Sequence, residues 1–416
     1  MRRLLIAALV LLAATAGGLL PADAGTEHSR VVSANPADWT PHVRDGIVYA
    51  VAAVGDTVIV GGDFSQVSEA DGSGTYSQPY LFAFDRDSGR IRREFRPTFD
   101  APVRALAAIG GTVFVAGHFS EVNGAAQSGL TRLRISDGAR YGTLDHFEGG
   151  DVRTLARAGN YLYAGGSFQS VAGRARPALA RVDLRTGRVD SGFDLRVAAP
   201  REGRLRVEHL ATNPNGSRLA MDGTFTQVAG RSRYQIAMVD VGASPARLAN
   251  WATDVFREPC SSRFDTYLRD LDFAPDGSYF VVATTGRFTG EGKLCDAALR
   301  FEANRTGAQQ PTWVNHTGGN TLFAVAVTGS AVYVGGHQQW LDNSHGDHEP
   351  GPGAVSREGI GAIDPRSGKA LSWNPTRTRG IGVQCLLATT DGLWVGSDTD
   401  QLGREYHARI GFFPTG

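Results

Sequence analysis

The apolar positions of this chain fall into a pattern that returns seven times. Its anchor is a short run ending in two small residues: "TVIVGGDF" at 57, "TVFVAGHF" at 112, "YLYAGGSF" at 161, "RLAMDGTF" at 218, "YFVVATTGRF" at 279, "AVYVGGHQ" at 331 and "GLWVGSDT" at 392. Alternating apolar and polar residues mark a strand with one wet face. Val113-Phe114-Val115-Ala116 is apolar at odd and even positions alike, so this strand is predicted to be covered on both faces. Paired glycines suit a place where a neighbouring backbone comes close or a bulge is needed.

Each anchor has company. Before it runs a second apolar stretch, as in "VYAVAA", "VRALAA", "VRTLAR", "VEHLAT", "LRDLDF", "LFAVAV" and "VQCLLA", joined to it by Gly-Asp, Gly-Gly, Pro-Asn-Gly or a similar hairpin dipeptide that supplies positive φ. After it comes a third strand such as "LFAFD" or "LARVD", then in several copies Asp-x-x-Ser/Thr-Gly, and then a segment that delivers an aromatic: Phe95, Phe193, Trp251, Trp313 or Trp373. The second copy is irregular there and offers Leu144 or Phe147. Four antiparallel strands repeated every 50 to 60 residues, roughly, predict an all-β fold, a seven-bladed β-propeller in one domain spanning 25–416. A β-sandwich with coincidental strand spacing is the alternative.

The stretch "SANPADWTPHV" at 33–43 precedes the first copy yet looks like the tail of one, because Trp39-Thr40-Pro41 matches Trp373-Asn374-Pro375. The seventh copy ends at Gly416 without a fourth strand. Residues 31–43 are therefore expected to supply it, which closes the ring and leaves no sheet edge to template aggregation.

Charge adds one exclusion. With 42 basic and 42 acidic residues the formal net charge is zero, so no global field recruits nucleic acid or an anionic membrane. Arg2-Arg3, the apolar run Leu4 to Ala16 and Ala22-Asp23-Ala24 form the pattern of a signal peptide over 1–24, and no later apolar run is long enough to span a bilayer. A secreted, extracellular, monomeric protein is expected. In an oxidising exterior disulfides persist.

The unit V-x-x-L-A…G-D-x-V-Y-V-G-G-x-F…V-N-G…L-A-R-x-D-x-x-T-G…W-x-P resembles the delta-60-repeat propellers of secreted actinobacterial proteins over essentially the whole mature chain. "GAVSREGIGAIDPRSGKALSWNPTRTRG" and "DGLWVGSDTD" are its most distinctive stretches. The resemblance implies a propeller and an extracellular location; it implies no activity and no catalytic residues.

In such a blade the second-to-third loops and the links between blades share one face, and nearly all inserted sequence falls there. Cys260 lies in the link between the fourth and fifth copies and Cys295 in the second-to-third loop of the fifth, so a Cys260–Cys295 disulfide is predicted, with Cys385 a buried free thiol. The largest insertion, in the sixth copy, offers His337, Trp340, Asp342 and Asn343 as ligand-binding candidates. It also holds His345, Asp347, His348 and Glu349, imidazole and carboxylate at a density that suits a divalent metal. Arg377 and Arg379 in the next link, and Asp398, Asp400 and His407 in the seventh-copy loop, are expected on the same face. Trp340 could stack on a sugar or peptide, or simply pin its loop. The second positions of the first strands, Tyr49, Arg104, Arg153, Glu208, Arg269, Phe323 and Gln384, are expected at one height around the channel, where arginines could hold an anion or merely be hydrated.

Gly-x-Ser-x-Gly, His-Glu-x-x-His and Gly-x4-Gly-Lys-Ser/Thr are missing from the chain. The reading that follows is a binding protein for a glycan, polymer or protein on the face of the sixth and seventh blades. A metal-dependent hydrolase, lyase or oxidoreductase using His345 and His348 is the rival, and a structural cell-surface module the third.

Overall fold

The structure is a computed structural model that describes residues 26–258, 260–261, 264–286 and 293–416; the expected signal peptide over 1–24 lies outside the described residues. Every regular element described is a β-strand, and no described helix is long and apolar enough to cross a membrane.

Seven antiparallel sheets carry the repeat. The first is built from Ile47–Val54, Thr57–Asp63 and Leu81–Asp85, the second from Val103–Ile109, Thr112–Gly117 and Leu130–Arg134, and the third from Val152–Ala158, Tyr161–Gly166 and Leu179–Asp183. The fourth and fifth have four strands: Val207–Thr212, Arg218–Gly223, Ile236–Asp240 and Arg247–Leu248, then Leu268–Phe273, Tyr279–Thr284, Ala297–Glu302 and Trp313–His316. The sixth holds Leu322–Val327, Val332–Gly336 and Ile360–Ile363, and the seventh Cys385–Thr389, Gly392–Gly396 and Ile410–Pro414. The expected fourth strand is a full element only in sheets four and five. In the first, second, third and sixth it shrinks to a single bridge, at Phe84↔Ile91, Leu133↔Arg140, Val182↔Val189 and Ile363↔Ala370.

Each first strand packs on the first strand of the next sheet, and Cys385–Thr389 packs on Ile47–Val54, so the order of contacts returns to its start. The small anchor residues make this approach possible. A Cβ on Gly61 would fall 2.5 Å from Val103 Cγ1, one on Gly165 2.7 Å from Val207 Cγ1, one on Gly335 2.6 Å from Val383 Cβ and one on Gly396 2.7 Å from Val48 Cγ1. The middle strands are accordingly buried on both faces, as in Thr112–Gly117 and Tyr279–Thr284. Each buried Val, Leu or Phe of these strands contributes ~1.5–3 kcal/mol, and the side chains interdigitate between neighbouring sheets rather than under a common centre.

At the seam the N–H groups of Ser33 and Ala37 donate to the carbonyls of Pro414 and Phe412, each at 2.8 Å, and Trp373 Nε1 donates to Ser33 O at 3.0 Å. Trp39 is half-buried, its ring 5.8 Å from Trp394 and 5.7 Å from Phe412. Phe95, Phe193, Trp251, Trp313 and Trp373 are all buried. In the irregular copy both Leu144 and Phe147 are buried, but only Leu144 lies against the glycine of the following turn, Gly187, as Trp39 lies against Gly89 and Trp313 against Gly368.

Turns follow the expected chemistry with one departure. Gly55, Gly110, Gly159, Gly216 and Gly277 have positive φ at the first-to-second turns. In sheets six and seven no turn residue adopts it. There the hydroxyls of Thr328 and Thr389 reach across to the carbonyls of Ala331 and Gly392 instead.

Candidate functional site

The first strands share one irregularity. Pairing with the second strand skips a residue between Val48 and Ala50, Val103 and Ala105, Val152 and Thr154, Val207 and His209, Leu268 and Asp270, and Leu322 and Ala324. In the seventh sheet Gln384 precedes the paired stretch and its N–H reaches Gly396 O at 2.8 Å. The skipped residues are Tyr49, Arg104, Arg153, Glu208, Arg269 and Phe323, the set the sequence singles out together with Gln384. A bulge re-aims the side chain it carries; here it does so at the start of each first strand, where the link from the preceding sheet enters.

Those links run beside the second-to-third loops. His42–Val43 pairs with Gln66–Ser68, Phe147–Glu148 with Ser170–Val171, Val197–Pro200 with Phe225–Val228, and Arg377 bridges to Leu402. The bulged residues therefore lie at the same end of the sheets as the inserted loops. Several touch: the Arg104 guanidinium sits 4.0 Å above the Tyr49 ring, and Arg153 Nη1 donates to Glu208 Oε2 at 3.0 Å. Burial pushes the Glu208 carboxyl up, but Arg153 and Arg206 more than reverse this and hold it below the ordinary range. Arg206 in turn pairs with Asp265 at 2.6 Å.

Arg269 differs. Its guanidinium makes no hydrogen bond or ion pair with any described residue, and lies 6.0 Å from the Phe264 ring. Burial lowers its pKa, opposed by Glu208 and Asp265. Beyond this mouth, the first strands of all seven sheets line a cavity of about 590 Å³, with Val51, Leu106, Leu155, Leu210, Leu271, Val325 and Leu386 each contributing one wall. Among the alanines of that wall stand Asp270 and Asp272. Burial drives their carboxyls up to about 8 and about 7, while the N–H groups of Val325 and Val327 donate to them at 2.8 and 2.7 Å. Asp222, wholly buried behind them, is pushed well above the carboxylate range by burial and by Glu208 and Asp270. Sequence reasoning missed Asp222, Asp270 and Asp272; the departure of each from the Gly or Ala of its repeat position was the available signal.

The loop residues fare differently. The sixth-sheet loop and the links beside it do meet: His337 Nδ1 lies 2.7 Å from Gly380 O, Arg379 Nε donates to His337 O, and Asp398 accepts the N–H of Ile381 and Gly382. Much of their polarity is spent on the scaffold, however. Asp342 accepts from Asn315 Nδ2 and the Ala370 N–H, buried Asn343 brackets Thr317, Glu349 and Gly351, and buried Arg377 binds four carbonyls and Thr399, with its pKa lowered to about 10 by burial. Trp340 is half-buried on a strand paired with Val355–Ser356, and Asp400 is exposed.

His345, Asp347, His348 and Glu349 are all exposed, and among the described residues no three of them bring ligand atoms within 4.8 Å of one another. The expected quartet is thus not assembled as a metal centre, because the loop turns at Gly346 and Gly351 around Asn343 rather than around a shared point. The described group that does converge is Asp38, Glu405 and His407.

The predicted Cys260–Cys295 disulfide is present, with Cα atoms 6.1 Å apart. Cys385 is free but half-buried rather than buried, since the first strand of the seventh sheet is open along its length; burial pushes its thiol up to about 12.

No family model matches the chain, and no curated protein matches it. Among solved structures it is similar to the computationally designed Ika8 protein, at 11% identity and a TM-score of 0.48, over 92% of this chain and 99% of that one.

Proposed function

We propose that the seven sheets are the blades of a seven-bladed propeller, a secreted delta-60-repeat-like binding protein whose ring is closed by residues 31–43. Its ligand is an extracellular glycan, polymer or protein that presents an anionic group to the channel mouth on the loop-rich face. The observation that carries the reading is Arg269: a guanidinium retained at a partly buried position with no hydrogen bond or ion pair among the described residues, eased only at longer range by Glu208 and Asp265, costs stability, and an incoming carboxylate or phosphate offsets that cost with paired charge-assisted hydrogen bonds. Phe323 occupies the same bulge on the adjoining first strand, and Arg104 over Tyr49 adds a cation and an aromatic ring at the bulges of the first two sheets, a combination that suits an acidic sugar or a peptide carboxylate.

The test is binding of uronate-rich, phosphate-rich and neutral polymers to the secreted protein by calorimetry, with Arg269→Ala beside it. An anionic polymer should bind and lose roughly tenfold or more in affinity in the variant, as expected for one charge-assisted contact. Equal binding of neutral and anionic polymers, or an indifferent variant, would sink the reading.

A further inference from the structure

We infer that Asp38, Glu405 and His407 form a zinc-class cation site that clasps the closing segment to the last sheet. The carboxylate oxygens of Asp38 and Glu405 and a ring nitrogen of His407 all lie within 4.8 Å of one another, with Glu405 Oε2 3.6 Å from His407 Nε2. Two carboxylates and one imidazole are a ligand set of the zinc class, with a fourth position left to water.

The surroundings favour a ligand over a surface accident. His407 is only 4% exposed, and its Nδ1 lies 3.2 Å from the Oγ1 of buried Thr40. When Nδ1–H donates to that hydroxyl, Nε2 keeps its lone pair on the side of Glu405, the outer hydrogen bond that fixes the tautomer and orientation of a metal-binding imidazole. Asp38 and Glu405 are both exposed, so an ion can enter. A second imidazole, His42, is 6% exposed with its ring 6.5 Å from that of His407, and its buried Nδ1 has no hydrogen-bond partner among the described residues.

Placement gives the site its role. Asp38 and Thr40 flank Trp39 in the segment that pairs with Ile410–Pro414, whereas Glu405 and His407 belong to the seventh-sheet loop, where Gly403 and Arg404 make a left-handed turn. Thr40 and His407 are 367 residues apart in sequence. An ion held by both sides binds only the closed form, so it stabilises closure by mass action.

The experiment uses the secreted chain, stripped with EDTA and titrated with zinc chloride, with calcium chloride run in parallel. One equivalent of zinc should bind and raise Tm by roughly a few degrees. The exposed substitutions Asp38→Asn and Glu405→Gln should each weaken binding tenfold or more while the circular dichroism stays that of the parent. His345→Ala/His348→Ala should bind as the parent does. No stoichiometric zinc, binding untouched by Asp38→Asn and Glu405→Gln, calcium bound in preference to zinc, or loss in the His345/His348 variant would each overturn the inference.

Discussion

Sheets two and three and sheets four and five solve the same packing problem with different residues. Where a first strand approaches the neighbouring sheet, the pairs are Ala105 with Ala116 and Thr154 with Gly165 in the former, but His209 with Asp222 and Asp270 with Ala283 in the latter. Small residues let backbones meet and leave little polarity to satisfy. Acidic residues in those positions lose water, wholly at Asp222 and in part at Asp270 on the cavity wall, and they replace it only partly with partners. Asp270 accepts the Val325 N–H as Thr154 Oγ1 accepts that of Leu210, on the same repeat position of the next sheet. Asp222 accepts the His209 N–H at 3.1 Å, and its other oxygen has no partner among the described residues. The contrast separates two roles that coincide in Asp270: capping a neighbour's free N–H, which the uncharged Thr154 does as well, and carrying a titratable charge, which only the carboxyls can do.

The largest effect expected from that contrast is on pH dependence. In the unfolded chain Asp270 and Asp272 ionise near 4, whereas in the folded chain burial holds their protons to about 8 and about 7. The folded state then binds more protons than the unfolded state between those values. Stability therefore falls as pH rises from about 4, and the loss is complete once pH passes about 8. Asp270→Asn/Asp272→Asn keeps an acceptor for Val325 and Val327 but cannot ionise. It should match the parent near pH 3 and exceed it by ~2–4 kcal/mol at pH 8.5 in denaturant melts, well short of the full ~1.4 kcal/mol per pH unit because both side chains are only half-buried at the cavity wall. Parallel pH profiles would show that the carboxyls are not buried acids.

Next comes the bracket that sheets two and three lack. Cys260→Ser/Cys295→Ser should cost ~2–4 kcal/mol by freeing a segment of 35 residues in the unfolded chain. Hydrogen exchange should quicken in Leu268–Phe273 and Tyr279–Thr284 and stay unchanged in Thr112–Gly117. Uniform loss of protection across the molecule would mean that the two regions open together.

The smallest effect belongs to Thr154→Val, which leaves the Leu210 N–H without its acceptor at nearly constant volume and should cost ~1 kcal/mol. The same melts read it. A neutral result would remove Thr154 as the uncharged counterpart of Asp270.

The repeat was legible because strands covered on both faces need unbroken apolar runs and small residues at close approach, which single out "TVFVAGHF" and its copies without any alignment to other proteins. The disulfide followed from the repeat, since copy number alone put Cys260 and Cys295 at one end of adjoining units. Other features left no such trace. At the start of every third strand the chain turns through positive φ, at Tyr80, Gly129, Ala178, Gln235, Asp296, Gly359 and Arg409. Glycine announces that conformation only at two of these. Side chains such as Tyr80 and Arg409 are held there by backbone hydrogen bonds to Phe64 and Thr399, and these bonds have no sequence signature.

The site was harder for a related reason. Asp342, Asn343, Arg377 and Asp398 have the composition of a ligand pocket, but in sequence a polar residue that brackets a loop is indistinguishable from one that awaits a ligand. Density along the chain pointed to His345 and His348, whereas convergence in space chose His407 with Asp38, from opposite ends of the polypeptide.

The seam at Ser33 and Ala37 has a mechanical consequence. Ser33 faces Pro414 and Ala37 faces Phe412, so the two segments run in opposite directions and their outer ends leave the pairing side by side. Tension applied between those ends loads the hydrogen bonds one after another, as in peeling a zipper, instead of sharing the load among them as sliding would. Under a tether through both ends, the tear reaches this pairing once Thr26, His28 and Val32 have let go of Ala388, Thr389 and Tyr333, and Trp39, lodged against Trp394 and Phe412, is the next obstacle it must pass.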